Sequence, residues 1–453
     1  MKLVYQVNDR PKFTQLVVFG FQQVLAIMAA TIAVPLIIGN GMSTAAALFG
    51  AGIGTLVYIL FTNHKSPVFL GSSFAFIGSM SAAFAGAVSI QAGYAGLLLG
   101  AAFAGIVYVI FAMVIRKVGT DWINKLMPAI VIGPTVSIIG LSLAGSAVTN
   151  LRTSSLTGET TQFAVLCGII ALIATMLAST YGGRKAKMIP FIIGILTGYG
   201  VAAIFTWIGL ATGYAPMQIV DFSAFTTLTD GGIGLHTFLS VPDFTFLKAF
   251  AGFHEIDASY IGTIFAAYVP VAFVVFAEHI ADHRNISSII ETDLLTDPGL
   301  DHTLLGDGIG SIAGAFFGGC PNTTYGESIA CVAITRNASV ATITCAAVEC
   351  LIISFITPFV AFISSIPACV MGGVCMALYG FIAVSGLKMI QRADLDLNRN
   401  LYVVSTILIS GIGGLSLTFG KITITTIACS LILGIIVNKL LAKDPNSRDD
   451  NDL

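Results

Sequence analysis

The sequence predicts an all-α polytopic membrane protein, and three observations carry that prediction. Charged residues make up 10% of the 453 residues and hydrophobic residues 56%, against roughly 25% charged in an average soluble domain. The charges are segregated, with no Asp, Glu, Lys or Arg at 13–64 or 66–115. Those runs of 52 and 50 residues each hold two helical spans of about 20 residues. Shorter uncharged runs recur at 126–151, 160–183, 188–220, 258–277, 350–387, 400–420 and 422–438. The pattern excludes a soluble globular protein, a disordered chain and a nucleic-acid binder, and makes the lipid bilayer the solvent.

Turn signals divide the runs in order. Gly39-Asn40-Gly41 splits the first into two spans. Pro67 and Gly71-Ser72-Ser73 open the second as an interrupted piece, and Gly93 starts a full helix after Gln91. Counting the interrupted pieces near 67–85 and 321–335, the chain has fourteen segments. The first apolar run is too long for a cleavable signal peptide and lacks a small-residue cleavage site. The tail after Leu441 is short and polar, and no appended soluble domain is expected. Eight cysteines lie in or beside apolar stretches without CxxC or Cys/His spacing. They read as buried free thiols, and neither metal nor cofactor is expected.

A cytoplasmic N-terminus puts 18 of the 21 Lys and Arg on the cytoplasmic side and leaves Arg152, Lys248 and Lys421 outside. This is the bias of the positive-inside rule. Both termini are then cytoplasmic, and the acidic, glycine-rich loop at 211–259 is external.

Two stretches do not read as ordinary spans. One is Pro67-Val68-Phe69-Leu70-Gly71-Ser72-Ser73-Phe74-Ala75-Phe76, and the other is Gly318-Gly319-Cys320-Pro321-Asn322-Thr323-Thr324-Tyr325-Gly326-Glu327-Ser328. Extended backbone at membrane depth is tolerated only where protein or a cavity surrounds it. A matched pair of such segments points to a transporter binding site. They fall in the third and tenth segments, an odd offset of seven, so the two halves are expected to be inverted repeats.

Glu278, Glu327 and Glu349 fall within spans, with Asp282 one turn beyond Glu278. A carboxylate at the bilayer centre costs about 2.5–3.5 kcal/mol on insertion scales, so each is a functional candidate. Glu278 and Asp282, at i and i+4, share one helix face. Glu327 starts a broken helix, where free N–H groups and the dipole favour an anion. No Lys or Arg lies deep in a span, so these acids lack ion-pair partners and suit proton carriage. For Glu349, whose surroundings carry no other cue, a helix-bonding role stands equally. His279 points elsewhere on the helix and reads as structural, while His283 and Arg284 are expected at the cytoplasmic end. Gln22 and Gln23 fit either helix packing or site lining.

These residues resemble the nucleobase–ascorbate transporter family, on its bacterial uracil permease branch. The resemblance rests on Ala277-Glu278-His279-Ile280-Ala281-Asp282-His283, Asp297-Pro298-Gly299-Leu300, Pro321-Asn322-Thr323-Thr324-Tyr325-Gly326-Glu327 and Ala333-Ile334-Thr335-Arg336. Leu70-Gly71-Ser72-Ser73-Phe74-Ala75-Phe76 and Val370-Met371-Gly372-Gly373 also fit. It covers nearly the whole chain in order.

The resemblance implies fourteen transmembrane segments as two inverted repeats of seven, with short β-strands in segments 3 and 10. It implies a core domain from 1–118 and 260–365 and a gate domain from 119–259 and 366–453. By the resemblance Glu278 and Glu327 bind the nucleobase, Phe74 packs on its ring, and backbone N–H groups near Phe74 and Gly326 meet its carbonyls. Tyr325 and Ala30 border the site, and Tyr379 supports the second glutamate. Asp282, Glu278, Glu327 and Tyr379 are the proton-coupling set. An acid at Glu327, where the family's purine transporters usually carry Gln, favours a pyrimidine. The chain departs from the family at Asp282 and Gln23, where uracil permease carries His. It departs also at Ser328 and Ala330, where the family signature has Asn and Gly.

The expected function is a proton-coupled uracil importer working by alternating access, not an enzyme. Its partners are uracil or a related nucleobase, protons and lipid, with a homodimer left open. Uracil offers ring N–H donors beside carbonyl acceptors, which carboxylates, strand N–H groups and an aromatic face can match. A xanthine or broader nucleobase symporter is the near alternative. An anion exchanger on the same general fold fits less well, because the midplane is acidic. A membrane enzyme lacks a nucleophile–base pair, and a channel has no use for an occluding acid pair.

Overall fold

The computed structural model describes residues 3–119, 128–183, 185–230, 232–391, 393–419 and 422–443. Among the described residues, eight helices are long and apolar enough to cross a membrane. The first half holds α1 (Phe13–Ile38), α2 (Thr44–Phe61), β1 (Leu70–Ser72), α3 (Ile77–Ala85) and α4 (Ile90–Val118). Then α5 (Ala129–Ser142) and α6 (Ala144–Arg152) make one interrupted span, followed by α7 (Gln162–Thr180) and α8 (Pro190–Thr212). After the short α9 (Thr245–Gly252) come α10 (Ala258–Ile290), α11 (Leu300–Gly318), β2 (Asn322–Thr324) and α12 (Gly326–Thr335). The chain closes with α13 (Val340–Ile353), α14 (Thr357–Ser364), α15 (Ala368–Ile390), α16 (Asn398–Ile412) and α17 (Thr426–Leu440). Polar side chains start several of these helices. Ser43, Ser89, Thr161 and Asp257 each accept a first-turn N–H, which leaves fewer unpaired donors at membrane depth.

Glycines set the closest helix contacts. In lipid no hydrophobic force pulls helices together, so association rests on tight packing that small residues permit. A Cβ on Gly50 of α2 would lie 2.4 Å from the Gly314 carbonyl oxygen of α11, and one on Gly54 2.8 Å from that of Gly310. A second seam joins α5 to α15, where a Cβ on Gly140 would meet the Tyr379 carbonyl oxygen at 2.3 Å and one on Gly133 that of Gly386 at 2.9 Å. Around the first seam pack α1, α4, α10 and α13; around the second pack α6, α7, α16 and α17. Between the two groups, α10 meets α5 and α17.

The broken segments meet in the first group. β1 and β2 pair antiparallel, with Leu70 opposite Thr324, Gly71 opposite Thr323 and Ser72 opposite Asn322. Every residue of the pair is buried. The backbone groups left over by so short a ladder find other partners. Ser73 N donates to Pro321 O at 2.9 Å, Tyr325 N to Phe69 O at 3.1 Å and Leu70 N to Thr55 Oγ1 at 2.9 Å. Ser328, one of the departures from the family signature, accepts from Phe69 N at 3.1 Å through its hydroxyl. Gly71 is held as glycine by the Tyr325 ring, which a Cβ would meet at 2.4 Å.

Two expectations change. His283 is not at a helix end: α10 runs on to Ile290, and the imidazole is fully buried, 2.6 Å from the Tyr58 hydroxyl. The region 211–259 is more than a loop. Within it α9 packs on α4 and α11, with Phe246 stacked on Phe316 at 4.8 Å between ring centroids. The eight cysteines are free, and all but the partly exposed Cys345 are buried.

Candidate functional site

The strand pair ends where two short helices begin. After β1 the chain turns at Ser73 into a helical turn carrying Phe74, and after β2 it enters α12, with Gly326 and Glu327 in the first turn. Midway along α10, Glu278 and Asp282 project from adjacent turns toward the same place. These elements enclose a cavity of about 410 Å³ lined by Glu278, Asp282, Glu327, Phe74, Tyr325 and Gly326. The far wall comes from the second helix group, with Val136 and Ile139 of α5 and Leu378 and Phe381 of α15. Among the described residues Lys187 is its one basic lining residue, in the connection between α7 and α8.

All three acids are half-buried, as side chains facing a cavity are. Asp282 Oδ2 accepts from the Thr324 hydroxyl at 2.7 Å, which ties α10 to the last residue of β2. Glu327 sits against its own backbone N–H at the start of α12, the position where a helix N-terminus favours an anion. Gly326 has no neighbour within 4 Å of where a Cβ would be, so its backbone faces open space. Phe74 is partly exposed and meets Tyr379 edge-on, 5.8 Å between centroids.

Other predicted residues lie apart from the cavity wall. Ala30 is buried behind it, in one cluster with Tyr325, and Ala26, one turn earlier, is the α1 residue that lines it. Tyr379 packs on Phe74 and lies beside the Cys375 thiol. Glu349 is not part of the site. It faces Gly20 of α1, where a Cβ would meet its carboxylate at 2.9 Å, and accepts from Cys345 Sγ at 3.4 Å. Gln23 is buried and donates to Ser328 O at 3.4 Å, a helix-packing role.

A buried polar layer behind Glu278 is not evident from the sequence. His279 Nδ1 lies 2.8 Å from Asp307 Oδ2, and its Nε2 lies 3.0 Å from Thr303 Oγ1, with His279 and Asp307 both fully buried. His283 Nδ1 lies 2.8 Å from His279 O; a carbonyl only accepts, so Nδ1 donates and Nε2 of the neutral ring accepts from Tyr58. The two imidazoles stack 4.0 Å apart. Asp307 is inconspicuous because it stands in the glycine-rich Gly306-Asp307-Gly308-Ile309-Gly310, which reads as a turn rather than a span. The available signal is that both are polar groups at membrane depth.

A chain of buried helices around an acid-lined cavity, with broken strands at its wall, defines a membrane permease rather than an enzyme. Comparison with known proteins narrows the class. A model described as a permease family matches residues 14–419, and the chain belongs to that family, the nucleobase–ascorbate transporters. It is 36% identical over 452 residues to the uracil permease of Bacillus caldolyticus, covering 99% of this chain and 97% of that one. Its identity to the uracil permease of Bacillus subtilis is 35% over 453 residues, covering 98% and 96%. With the uracil permease of Escherichia coli it shares 33% over 436 residues, covering 95% and 92%. Among solved structures, the transmembrane domain of a cyanobacterial bicarbonate transporter, BicA, superposes with a TM-score of 0.61 over 96% of this chain and all of that one, at 14% identity. That likeness speaks to the fold alone: this is a multi-pass membrane protein with the architecture of a transporter.

Proposed function

We propose that the chain is a proton-coupled uracil importer that works by alternating access. The observation that carries this reading is the single cavity shared by Glu278, Glu327, Asp282 and Phe74 beside the ends of the paired strands. Uracil has two ring N–H donors and two carbonyl acceptors. In the proposed complex the carboxyls of Glu278 and Glu327 accept the donors, backbone N–H groups near Phe74 and Gly326 give to the carbonyls, and the Phe74 ring covers one face. Charge-assisted bonds of this kind are the strong ones, and matching donors to acceptors gives selectivity.

Transport follows from what surrounds the site. One wall belongs to the helices around the α2–α11 seam and the other to those around the α5–α15 seam. We assign a core half, 1–118 and 260–365, and a gate half, 119–259 and 366–453, built from two inverted repeats of seven segments; the two seams support that division except at α9, which packs on α4 and α11 of the core half. Rigid movement of one half against the other would open the cavity to each face in turn. Asp282, one turn from Glu278 and held by Thr324, is the proposed acceptor for the proton that Glu278 gives up. Three acids against one lysine among the described lining residues favour a neutral, donor-bearing substrate over an anion. The uracil permeases that share a third of their residues with this chain support the same substrate.

The test is uptake of labelled uracil into proteoliposomes, with a panel of nucleobases as competitors, with and without a proton gradient. Concentrative uptake that needs the gradient and yields to uracil before xanthine is expected. Uptake indifferent to the gradient ends the coupling proposal, and stronger competition by a purine moves the assignment to a broader nucleobase symporter.

A further inference from the structure

A second cavity, of about 420 Å³, lies on the other side of Phe74. It shares Phe74 and Ile139 with the acid-lined cavity, and those two side chains are the partition between them. The two spaces look toward opposite ends of the helices. Lys187 and Met389 lie along the acid-lined one, and Ile37 at the C-terminal end of α1 and Ser146 of α6 along the other. Like the first, the second cavity runs between the two helix groups, with α1 and α3 on one side and α5, α6 and α17 on the other.

Its chemistry is different. Among the described residues, seven serines and threonines line it and no charged residue does, with Ile77, Leu143 and Ile427 among the apolar remainder. Ser81, Ser142, Ser146 and Ser416 are exposed. Some hydroxyls are committed to the backbone: Ser79 donates to Ala267 O at 2.6 Å and Ser142 to Ile139 O at 3.0 Å. Each of these still has acceptor capacity. Thr425 Oγ1 is buried and has no hydrogen-bond partner among the described residues.

We propose that this hydroxyl-lined cavity is a second binding site for a neutral planar heterocycle with carbonyl and N–H edges. It would hold the nucleobase before the Phe74–Ile139 partition opens. Hydroxyls both give and accept, so they match a donor–acceptor edge without fixing its register, and the aliphatic side chains cover the ring faces. The absence of charge among the described lining residues disfavours an ion. A site of this kind binds the same solute as the acid-lined cavity but selects less sharply, because no carboxylate demands a donor. The identity of the solute rests on the uracil reading above.

The experiment uses the purified full chain and uracil as the probe. Ser81→Cys and Ser146→Cys, on two different helices of the cavity, are labelled with N-ethylmaleimide, and the rate is read peptide by peptide by mass spectrometry. Each is made in the otherwise unchanged chain and again with Glu278→Gln, which removes binding in the acid-lined cavity. At ten times the half-protecting concentration, uracil should slow labelling about tenfold, following 1 + [L]/Kd. That protection should persist in the Glu278→Gln background. Protection lost in that background overturns the second site, since it then came only from the acid-lined cavity. Absence of labelling at both cysteines without uracil also overturns it, because the cavity is then closed to solutes. Equilibrium binding of labelled uracil to the unsubstituted chain separates the two readings. No binding there removes the uracil assignment itself, whereas binding without protection removes only the second site.

Discussion

The two cavities on either side of Phe74 enclose nearly equal volumes with opposite chemistry. Among the described residues, the one beside Thr324 and Glu327 carries three carboxylates and one ammonium group, and the one beside Ser142 and Thr425 carries hydroxyls and no charge. Two of the acids come from α10, and five of the seven hydroxyls come from α5, α6 and the 416–426 region; the broken segments supply the rest. The tenth segment brings Glu327 into a helix N-terminus facing α10. The third has no ionisable residue between Pro67 and Ala85 and presents Ser79 and Ser81 to the other side. Two segments alike in proline, glycine and hydroxyl content, paired residue by residue, thus have different duties. In the proposed mechanism one supplies charge to select a solute, and the other supplies an aromatic partition and a neutral approach.

The comparison breaks most sharply at Glu278. Glu278→Gln puts an amide donor where uracil also donates, and each unpaired buried group costs about 1–3 kcal/mol. Uracil binding to purified protein should be lost, and wild-type affinity by calorimetry would remove the acid-lined cavity from the mechanism. Glu327→Ala should likewise abolish measurable binding while the purified yield stays normal; retained binding would shift selection onto α10 alone.

Phe74→Ala is expected to act on both cavities at once. Loss of the ring forfeits apolar burial of up to about 3 kcal/mol, so uracil affinity falls while folding is kept. It also opens the partition, so passive uracil leak into proteoliposomes should rise. Normal affinity with no leak would show that Phe74 neither covers the solute nor separates the spaces.

The coupling effect is narrower. Asp282→Asn should keep uracil counterflow but lose gradient-driven accumulation, and Thr324→Val, which removes the 2.7 Å hydrogen bond to Asp282, should weaken accumulation in the same direction by less. If both variants accumulate uracil normally, Asp282 is not the relay. The smallest effect is expected at Glu349, which faces Gly20 outside both cavities. Glu349→Gln, nearly isosteric and lining neither cavity, should leave uptake and its dependence on the gradient within a factor of about two. A Glu349→Gln protein without coupling would place the proton path through α13 instead.

Much of this architecture is written into the chain itself. The uncharged runs determine that the solvent is lipid, because a backbone can cross a bilayer only in segments of a certain length with their polar groups paired internally. The broken stretches at Pro67 and Pro321, and the isolated acids at Glu278, Asp282 and Glu327, stand out for the same reason: each is costly in lipid and needs a compensating use. These are local properties, legible in windows of a few turns. Which costly groups share a space is not local. Tyr325 and Ser72 are 253 residues apart in the chain and hydrogen-bonded in the fold. The fold puts Glu349 outside the cavity, moves Ala30 behind its wall and carries His283 into the interior. It also pairs Asp307, inconspicuous among glycines, with His279 at 2.8 Å. The hydroxyl-lined cavity draws on α1, α3, α5, α6 and α17, and serines and threonines in apolar helices mostly bond their own preceding carbonyls. Nothing in the sequence separates those hydroxyls from the ones that face a cavity; only the packing of distant helices decides it.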